Sequence, residues 1–280
     1  RLRATLPLLV YGAFGERVDH VIPFGATVEL LHNGTLVQDD TEERVRARRG
    51  RGTLWVTHGR GQAVLCGDAM LSLAQSCLNR LPHAPELICQ VSQSLNDHLI
   101  KVIAAQIEAS GPVPELERRL ALARDRTGGL FSLAISGAAL LGGASPTAVD
   151  ALDEIGGRLG VVFHLQTELL QLMAASAEGS TPLIEGKSGI LLSHALAHAS
   201  PVDQAALRAA IGRTRGLSPD EDNGTILRLV TESGSIQYAV NLMQQEQTLV
   251  EERARGLKHP EIVRLVSGVS DVFLAPLLSR

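Results

Sequence analysis

The chain is 280 residues long and 45% apolar, enough for one large core or two small ones. Aromatic residues make up only 3%, so this Ala- and Leu-rich chain suits packed helices better than a sheet, which favours aromatic and β-branched residues. A net charge of −4 excludes a global basic field for nucleic acid or anionic membrane, and no apolar run reaches the roughly 18 residues of a membrane span.

Cys66, Cys77 and Cys89 are odd in number, widely spaced and set in apolar helical pattern, with no Cys-x-x-Cys. They read as buried thiols of a reducing cytosol, not as disulfides or zinc ligands. No signal peptide is visible. The chain opens at Arg1, inside a helical pattern and without a methionine, so natural residues are expected to precede it and to complete the first helix.

Residues 2–14 read as a short apolar helix and residues 16–43 as a long one. Val21, Phe24, Val28 and Leu31 recur at spacings of three and four and predict one buried stripe. The long helix ends on Asp39, Asp40, Glu42 and Glu43. Asp39 and Glu43 are i and i+4 and share a face. A basic run follows at once: Arg44, Arg46, Arg48, Arg49 and Arg51. Stacked carboxylates repel unless a hard dication sits between them. Mg²⁺ takes one or two protein carboxylates and completes its shell with water and substrate phosphates. Arginines hold the same phosphates bidentately. The charge pattern alone is also that of an ordinary solvated helix end.

Helices are predicted over 58–80 and 86–109, with a break at Gly111-Pro112. Over 113–143, Gly137, Gly142 and Gly143 allow close helix packing or a turn. Residues 147–176 and 177–200 carry motif fragments. Three last helices are predicted over 203–214, 222–256 and 259–279. Their core positions are Ile226, Leu229, Val230, Ile236 and Val240, then Ile262, Leu265, Val266, Val272 and Leu277.

Several fragments match well-known motifs only in part. Gly59-x-Gly61 lacks the third glycine of a dinucleotide loop, and no strand precedes it. Gly186-Lys187-Ser188 has Thr181 where a phosphate loop needs glycine. Ser136 is not in a nucleophile elbow. His194 and His198 are i, i+4, as in zinc helices, but no third ligand is near. No internal repeat appears.

The order Glu29-x-x-His32, Asp39-Asp40-x-x-Glu43, Arg48-Arg49-Gly50 resembles the trans-prenyl diphosphate synthase (polyprenyl synthetase) family. Its first aspartate-rich motif reads Asp-Asp-x-x-Asp, followed by Arg-Arg-Gly. Here Glu43 replaces the last aspartate, and Gln38 stands where histidine is usual. Arg1-Leu2-Arg3 resembles the tail of the family's Gly-Lys-x-x-Arg segment. Gly67-Asp68-Ala69 and Arg126-Thr127-Gly128 resemble further segments, the latter with arginine for lysine. Gln106 fits a Gly-Gln-x-x-Asp motif whose aspartate is Ala109. The second aspartate-rich motif, Phe-Gln-x-x-Asp-Asp-x-x-Asp, has become a stretch with Gln166, Thr167, Glu168 and Gln171, so one carboxylate of three survives. Nor is this the metal motif of terpene cyclases. Gly186-Lys187 resembles the Gly-Lys that follows that motif.

The resemblance implies an all-α, isoprenoid-synthase-like bundle of about ten to twelve helices around a deep central cavity, with residues 1–280 as a single domain. It implies a Mg²⁺-dependent prenyltransferase of isoprenoid biosynthesis, cytoplasmic and homodimeric. Asp39, Asp40 and Glu43 would hold metal, with Glu168 as a substitute ligand in the second motif. Arg48 and Gln166 would bind the allylic diphosphate, and Arg126, Thr127 and Lys187 would assist its departure. Arg3, His32 and Arg49 would bind isopentenyl diphosphate. Gly34 and Thr35, five and four residues before Asp39, would leave a deep product pocket where family members with shorter products carry large aromatics.

Three readings stay open: an active synthase, a relative diverted to cyclisation or to another acceptor, and a non-catalytic subunit of a heteromer with an active homologue. The intact first motif favours the first two. Thr167 and Gln171 favour the second and third.

Overall fold

Val21, Phe24, Val28 and Leu31 are all 0% exposed, so the apolar stripe read from the sequence is a buried helix face. The helix that carries it, α2 (Ile22–Glu42), has Pro23 in its first turn, where no backbone N–H is needed. A 3₁₀ turn, Val18–Val21, leads into it, so the regular helix starts later than expected. The computed structural model describes residues 2–109, 111, 113–178, 189–214 and 220–278, without the side chains of 174–178, 212–214, 220–223 and 276–278.

Apart from a two-stranded ribbon, β1 (Ala47–Arg48) and β2 (Arg51–Gly52), the regular structure among the described residues is helical. The other helices are α1 (Leu2–Ala13), α3 (Leu54–His58), α4 (Arg60–Leu78), α5 (Pro85–Ala109), α6 (Leu116–Ala123), α7 (Gly129–Leu141), α8 (Pro146–Glu178), α9 (Ile190–His198), α10 (Pro201–Thr214), α11 (Asp220–Glu232), α12 (Ser235–Gly256) and α13 (Pro260–Leu278). The all-α expectation is met.

The chain divides into two compact units. The first comprises Arg1–Lys101, Gly129–Gly157 and Arg253–Val266. Within it α2 packs on α1, α4 and α7. Small residues set these crossings. A Cβ on Gly25 would lie 2.8 Å from the Ala4 carbonyl oxygen, and one on Gly137 would lie 2.5 Å from Phe24 Cζ. The buried Thr27 hydroxyl reaches the Ala74 carbonyl at 3.0 Å and ties α2 to α4. Helix α7 is buried on nearly every side, which explains a sequence that is apolar but for two small serines, Ser132 and Ser136.

The second unit comprises Val102–Gly128, Arg158–Glu252 and Ser267–Arg280. Helix α9 packs on α6, α10 and α11. Between α6 and α7 the chain makes a π-helical turn, Arg124–Gly128. A Cβ on Gly160 would lie 2.1 Å from the Gly128 Cα, so this turn rests directly on α8.

The expected helix over 222–256 is two helices. Gly234 takes φ +73° between them, and Ser235 is fully buried at the restart. Val272 was expected in the core and is 58% exposed. Ile236, Val240 and Leu265 are half-buried, and the side chain of Leu277 lies outside the described ones. Cys66 and Cys89 are exposed and Cys77 is half-buried, against the expectation of buried thiols. Helix α4 buries Ala63, Gly67, Ala74 and Leu78, and α5 buries Val91, Leu95, Val102, Ala105 and Ala109. The cysteines fall outside both stripes. Because apolar residues also occupy the outer faces of these helices, composition hid which face is buried.

Candidate active site

The first unit gathers the acidic end of α2, the ribbon and α1. Asp40 is buried, 7% exposed, and accepts a fork from Arg48: Nε donates at 2.9 and 3.1 Å and Nη2 at 2.6 Å. Hydrogen bonding to Asp40 comes first among the causes that hold the Arg48 guanidinium above its ordinary pKa. Burial opposes it, and the charges of Asp40, Asp39 and Glu43 add to it. A carboxylate buried at a helix end needs a cation, and the chain doubles back to supply one.

The ribbon makes that return possible. Arg49 and Gly50 both have positive φ, +52° and +74°, as a two-residue type I′ hairpin requires. Glycine suits the second position, and Arg49 sits left-handed beside it. Thr53 and Trp55 fix the base of the loop. The Thr53 hydroxyl and Trp55 Nε1 each donate to the Val45 carbonyl at 2.7 Å. Arg46 and Arg60 lie over the Trp55 ring at 5.8 and 5.9 Å. Nothing in the charge pattern pointed to these anchors.

Thus Arg48, expected on the allylic diphosphate, is engaged by Asp40, and Asp40, expected on metal, is engaged by Arg48. Asp39 and Glu43 lie one turn apart, with the Glu43 N–H donating to the Asp39 carbonyl at 2.8 Å. Among the described residues no three His, Cys, Asp or Glu side chains converge as a closed metal cage. Two hard carboxylates one turn apart fit Mg²⁺, which takes one or two such ligands together with substrate phosphate.

About two turns back along α2 from Asp39, His32 meets Arg3 of α1. Arg3 Nη1 donates to His32 Nε2 at 3.3 Å, so Nε2 is the unprotonated nitrogen. The pKa of His32 is lowered to about 3, first by burial and then by the charges of Arg3, Arg49 and Arg48. Arg3 is itself lowered to about 10 by burial, against the charge of Glu29, and lies 4.7 Å over the Phe131 ring. His32 is thus held neutral within the field of three arginines.

Gly34 does not face an open pocket. A Cβ there would sit 3.3 Å from the Gly67 carbonyl oxygen, Leu71 Cδ2 and Met70 Cβ, so its smallness serves the α2–α4 crossing. Thr35 is buried, with its hydroxyl donating to the His32 carbonyl at 2.9 Å. Gln38 Nε2 donates to Asp68 Oδ1 at 3.3 Å, linking the motif to the Gly67-Asp68-Ala69 segment.

The second unit holds the π turn and the middle of α8. Arg126 and Thr127 are half-buried on the turn. Thr127 Oγ1 lies 3.2 Å from His164 Nδ1, and His164 Nε2 lies 2.8 Å from Glu168 Oε1, an ion-pair contact one helical turn on. Glu168 also accepts from two backbone amides of α9: Ile190 N to Oε1 at 2.9 Å and Leu191 N to Oε2 at 3.0 Å. Burial alone would raise the Glu168 pKa; the His164 charge and hydrogen bond and the two amides outweigh it and hold it below the ordinary value. Thr167 donates back to its own helix at the Phe163 carbonyl, 2.9 Å away. Gln171 is exposed and neutral, and Gln166 is buried. Glu168, expected as a substitute metal ligand, is engaged within the fold by His164 and the two α9 amides. Lys187, with the rest of Glu185-Gly186-Lys187-Ser188, lies outside the described residues.

Other buried charges escaped the sequence reading. Arg119 is 4% exposed; burial lowers its pKa, Glu168 opposes that, and Arg126 adds to it. Glu246 accepts from Arg158 at 2.9 Å and Arg124 at 3.4 Å, bracing the start of the π turn. In the first unit His98 Nε2 contacts Asp153 Oδ1 at 2.8 Å. The i,i+4 spacing of His164 and Glu168 was a legible signal; the long-range partners were not. His194 and His198 stack at 4.0 Å, and His194 Nδ1 pairs with the Ser235 hydroxyl at 2.9 Å, a packed pair with no third ligand among the described residues.

The polyprenyl synthetase family model matches residues 1–225. Geranylgeranyl diphosphate synthase of Methanosarcina mazei is 30% identical over 252 residues, covering 86% of this chain and 75% of that one. A short chain isoprenyl diphosphate synthase of Methanocaldococcus jannaschii is 29% identical over 203 residues, 70% of this chain and 62% of that one. The crystal structure of polyprenyl synthetase from Streptomyces coelicolor A3(2) superposes with a TM-score of 0.79 at 25% identity, covering 97% of this chain and 84% of that one.

Proposed function

We propose that this chain, which belongs to the polyprenyl synthetase family, is a prenyl diphosphate synthase that condenses an allylic prenyl diphosphate with isopentenyl diphosphate. The observation that carries the reading is His32, kept neutral within reach of Arg3, Arg48 and Arg49, on the helix whose end presents Asp39 and Glu43. Cationic side chains and hard carboxylates on one helix and its neighbours suit a diphosphate that arrives with its metal.

In the reaction the allylic C–O bond breaks and diphosphate leaves with the electron pair. The double bond of isopentenyl diphosphate forms the new C–C bond, and a proton is lost to restore an alkene. Magnesium, held by Asp39 and Glu43, would neutralise the departing diphosphate as its charge grows. Asp40 would orient Arg48 beside that charge. Arg3, His32 and Arg49 would bind isopentenyl diphosphate, His32 through a neutral ring. Arg126, Thr127, Gln166 and Lys187 would serve the leaving group, on the strength of the matched motifs.

We extend the family reading to residues 1–280 as one domain, to isoprenoid biosynthesis and to the cytoplasm. No helix among the described residues is long and apolar enough to cross a membrane. Homodimerisation is supported by α5, which leaves Ile100, Ile103 and Ile107 exposed at spacings of three and four.

The test is to incubate the protein with Mg²⁺ and geranyl or farnesyl diphosphate, with and without isopentenyl diphosphate, and to identify products by mass spectrometry. Elongated diphosphates that vanish in Asp39→Ala are expected. The internal engagement of Glu168 favours one second reading, a regulatory subunit. Inert protein that gains activity only with an active homologue would select it.

A further inference from the structure

Glu168 is the one carboxylate left in the second acidic stretch, and its partners are all within the fold. Both oxygens are used: Oε1 by the Ile190 amide and Oε2 by the Leu191 amide, at 2.9 and 3.0 Å. These are the first two residues of α9, whose own N-cap, Gly189, provides no side-chain cap. Helix N-termini leave amides unsatisfied and favour negative charge, so a carboxylate from another helix can do the work of a missing cap. Gly189 is shaped for it: a Cβ there would lie 2.2 Å from Glu168 Oε1. A side chain at 189 would force the carboxylate end of Glu168 to shift.

The same carboxylate fixes a ring. Glu168 Oε1 lies 2.8 Å from His164 Nε2, and His164 Nδ1 lies 3.2 Å from the Thr127 hydroxyl, so the ring sits between the carboxylate and the π turn. A chain of contacts thus runs from α9 through Glu168 and His164 to Thr127 on the π turn. A metal ion bound by Glu168 would compete with the two amides and the ring for the lone pairs of one carboxylate. The neighbours that would share the ion are unsuited: the Thr167 hydroxyl is turned onto Phe163, and Gln171 carries no charge.

We infer that Glu168 is a positioning residue, docking α9 on α8 and orienting His164 towards Thr127, and that residues 163–171 hold no divalent cation. The inference on ion number rests on the reading that Asp39 and Glu43 bind such ions; the capping role does not.

Mn²⁺ titrations with inorganic diphosphate, followed by electron paramagnetic resonance, would count ions in the intact protein. Glu168→Gln should bind as many as the parent chain, whereas Asp39→Asn should bind fewer. Loss of an ion in Glu168→Gln overturns the inference. An unchanged count in Asp39→Asn instead defeats the metal reading of α2 and leaves the capping role standing. Amide hydrogen exchange reads the dock directly. In Glu168→Ala the Ile190 and Leu191 amides should exchange about tenfold faster or more, as for a lost charged hydrogen-bond acceptor. Unchanged protection of both amides overturns the docking role. If Glu168→Ala does not fold, Glu168→Gln, which keeps one acceptor oxygen, should show the faster exchange at one amide.

Discussion

Arg48 grips Asp40 with two nitrogens, and this pair lies between the last turn of α2 and a ribbon eight residues on. Asp40 is buried while Arg48 is 40% exposed, so the two partners are not equivalent. Removing the arginine strands a buried carboxylate; removing the carboxylate leaves a cation that water can reach. Arg48→Ala should therefore destabilise more than Asp40→Asn, by about 1–3 kcal/mol against less than about 1. Arg48→Lys should recover only part of the loss, because an ammonium cannot fork. Urea unfolding of the three variants checks the order, and equal losses from Arg48→Ala and Asp40→Asn would show that the pair is merely a surface contact.

Gly34 gives a second prediction, on packing. With 3.3 Å to the Gly67 carbonyl oxygen, a methyl forces a small shift and a large side chain must part α2 from α4. Gly34→Ala should cost little, and Gly34→Leu about 1–3 kcal/mol. If product length depends on this site, Gly34→Leu would shorten the product at unchanged melting temperature. The geometry predicts a lower melting temperature instead.

The sequence carried the helical class because periodic burial is local. Val21, Phe24, Val28 and Leu31 face one way whatever surrounds them. It also carried the acidic end of α2, since Asp39 and Glu43 are one turn apart on any helix. What stayed hidden depends on the return of the chain. Asp40 meets Arg48 because Arg49 and Gly50 turn left-handed, and Glu168 meets Ile190 and Leu191 across a Gly189 whose missing side chain leaves room for the carboxylate. The meaning of small residues was hidden too: Gly34 reads as space from sequence and is a helix contact in the fold. The break at Gly234 escaped because Ile236 and Val240 continue the apolar spacing across it.

Catalysis should separate the acidic residues of α2. If Asp39 and Glu43 hold the ion, Asp39→Ala and Glu43→Ala should each lose about 10²–10³ in kcat, with a raised Mg²⁺ requirement. Asp40→Asn should act mainly through Arg48 and raise KM for the diphosphate more than it lowers kcat. Steady-state rates over a Mg²⁺ series test this. Asp39→Ala with an unaltered Mg²⁺ requirement would remove Asp39 from the metal.

Two histidines should set opposite limbs of the stability profile. His32 titrates at about 3 in the fold because burial and three arginines oppose its charge. The unfolded chain takes up that proton near 6.5. Between these values the unfolded state binds more protons, so stability falls as pH drops from about 6.5 towards 3, by up to about 1.4 kcal/mol per pH unit for one proton. His98 runs the other way. Burial works against its charge, but the hydrogen bond and charge of Asp153 and the Ser94 carbonyl outweigh it, so its pKa is raised. Its contribution is complete below the unfolded value and is lost as pH rises through the folded one. His32→Asn should flatten the acid limb, and His98→Gln should flatten the fall above about 6.5. Urea unfolding free energies from pH 4 to 9 measure both. If a charged ligand fills the place beside His32, inorganic diphosphate should oppose the arginines, raise the folded pKa of His32 and flatten the acid limb, and His98→Gln should leave that flattening intact.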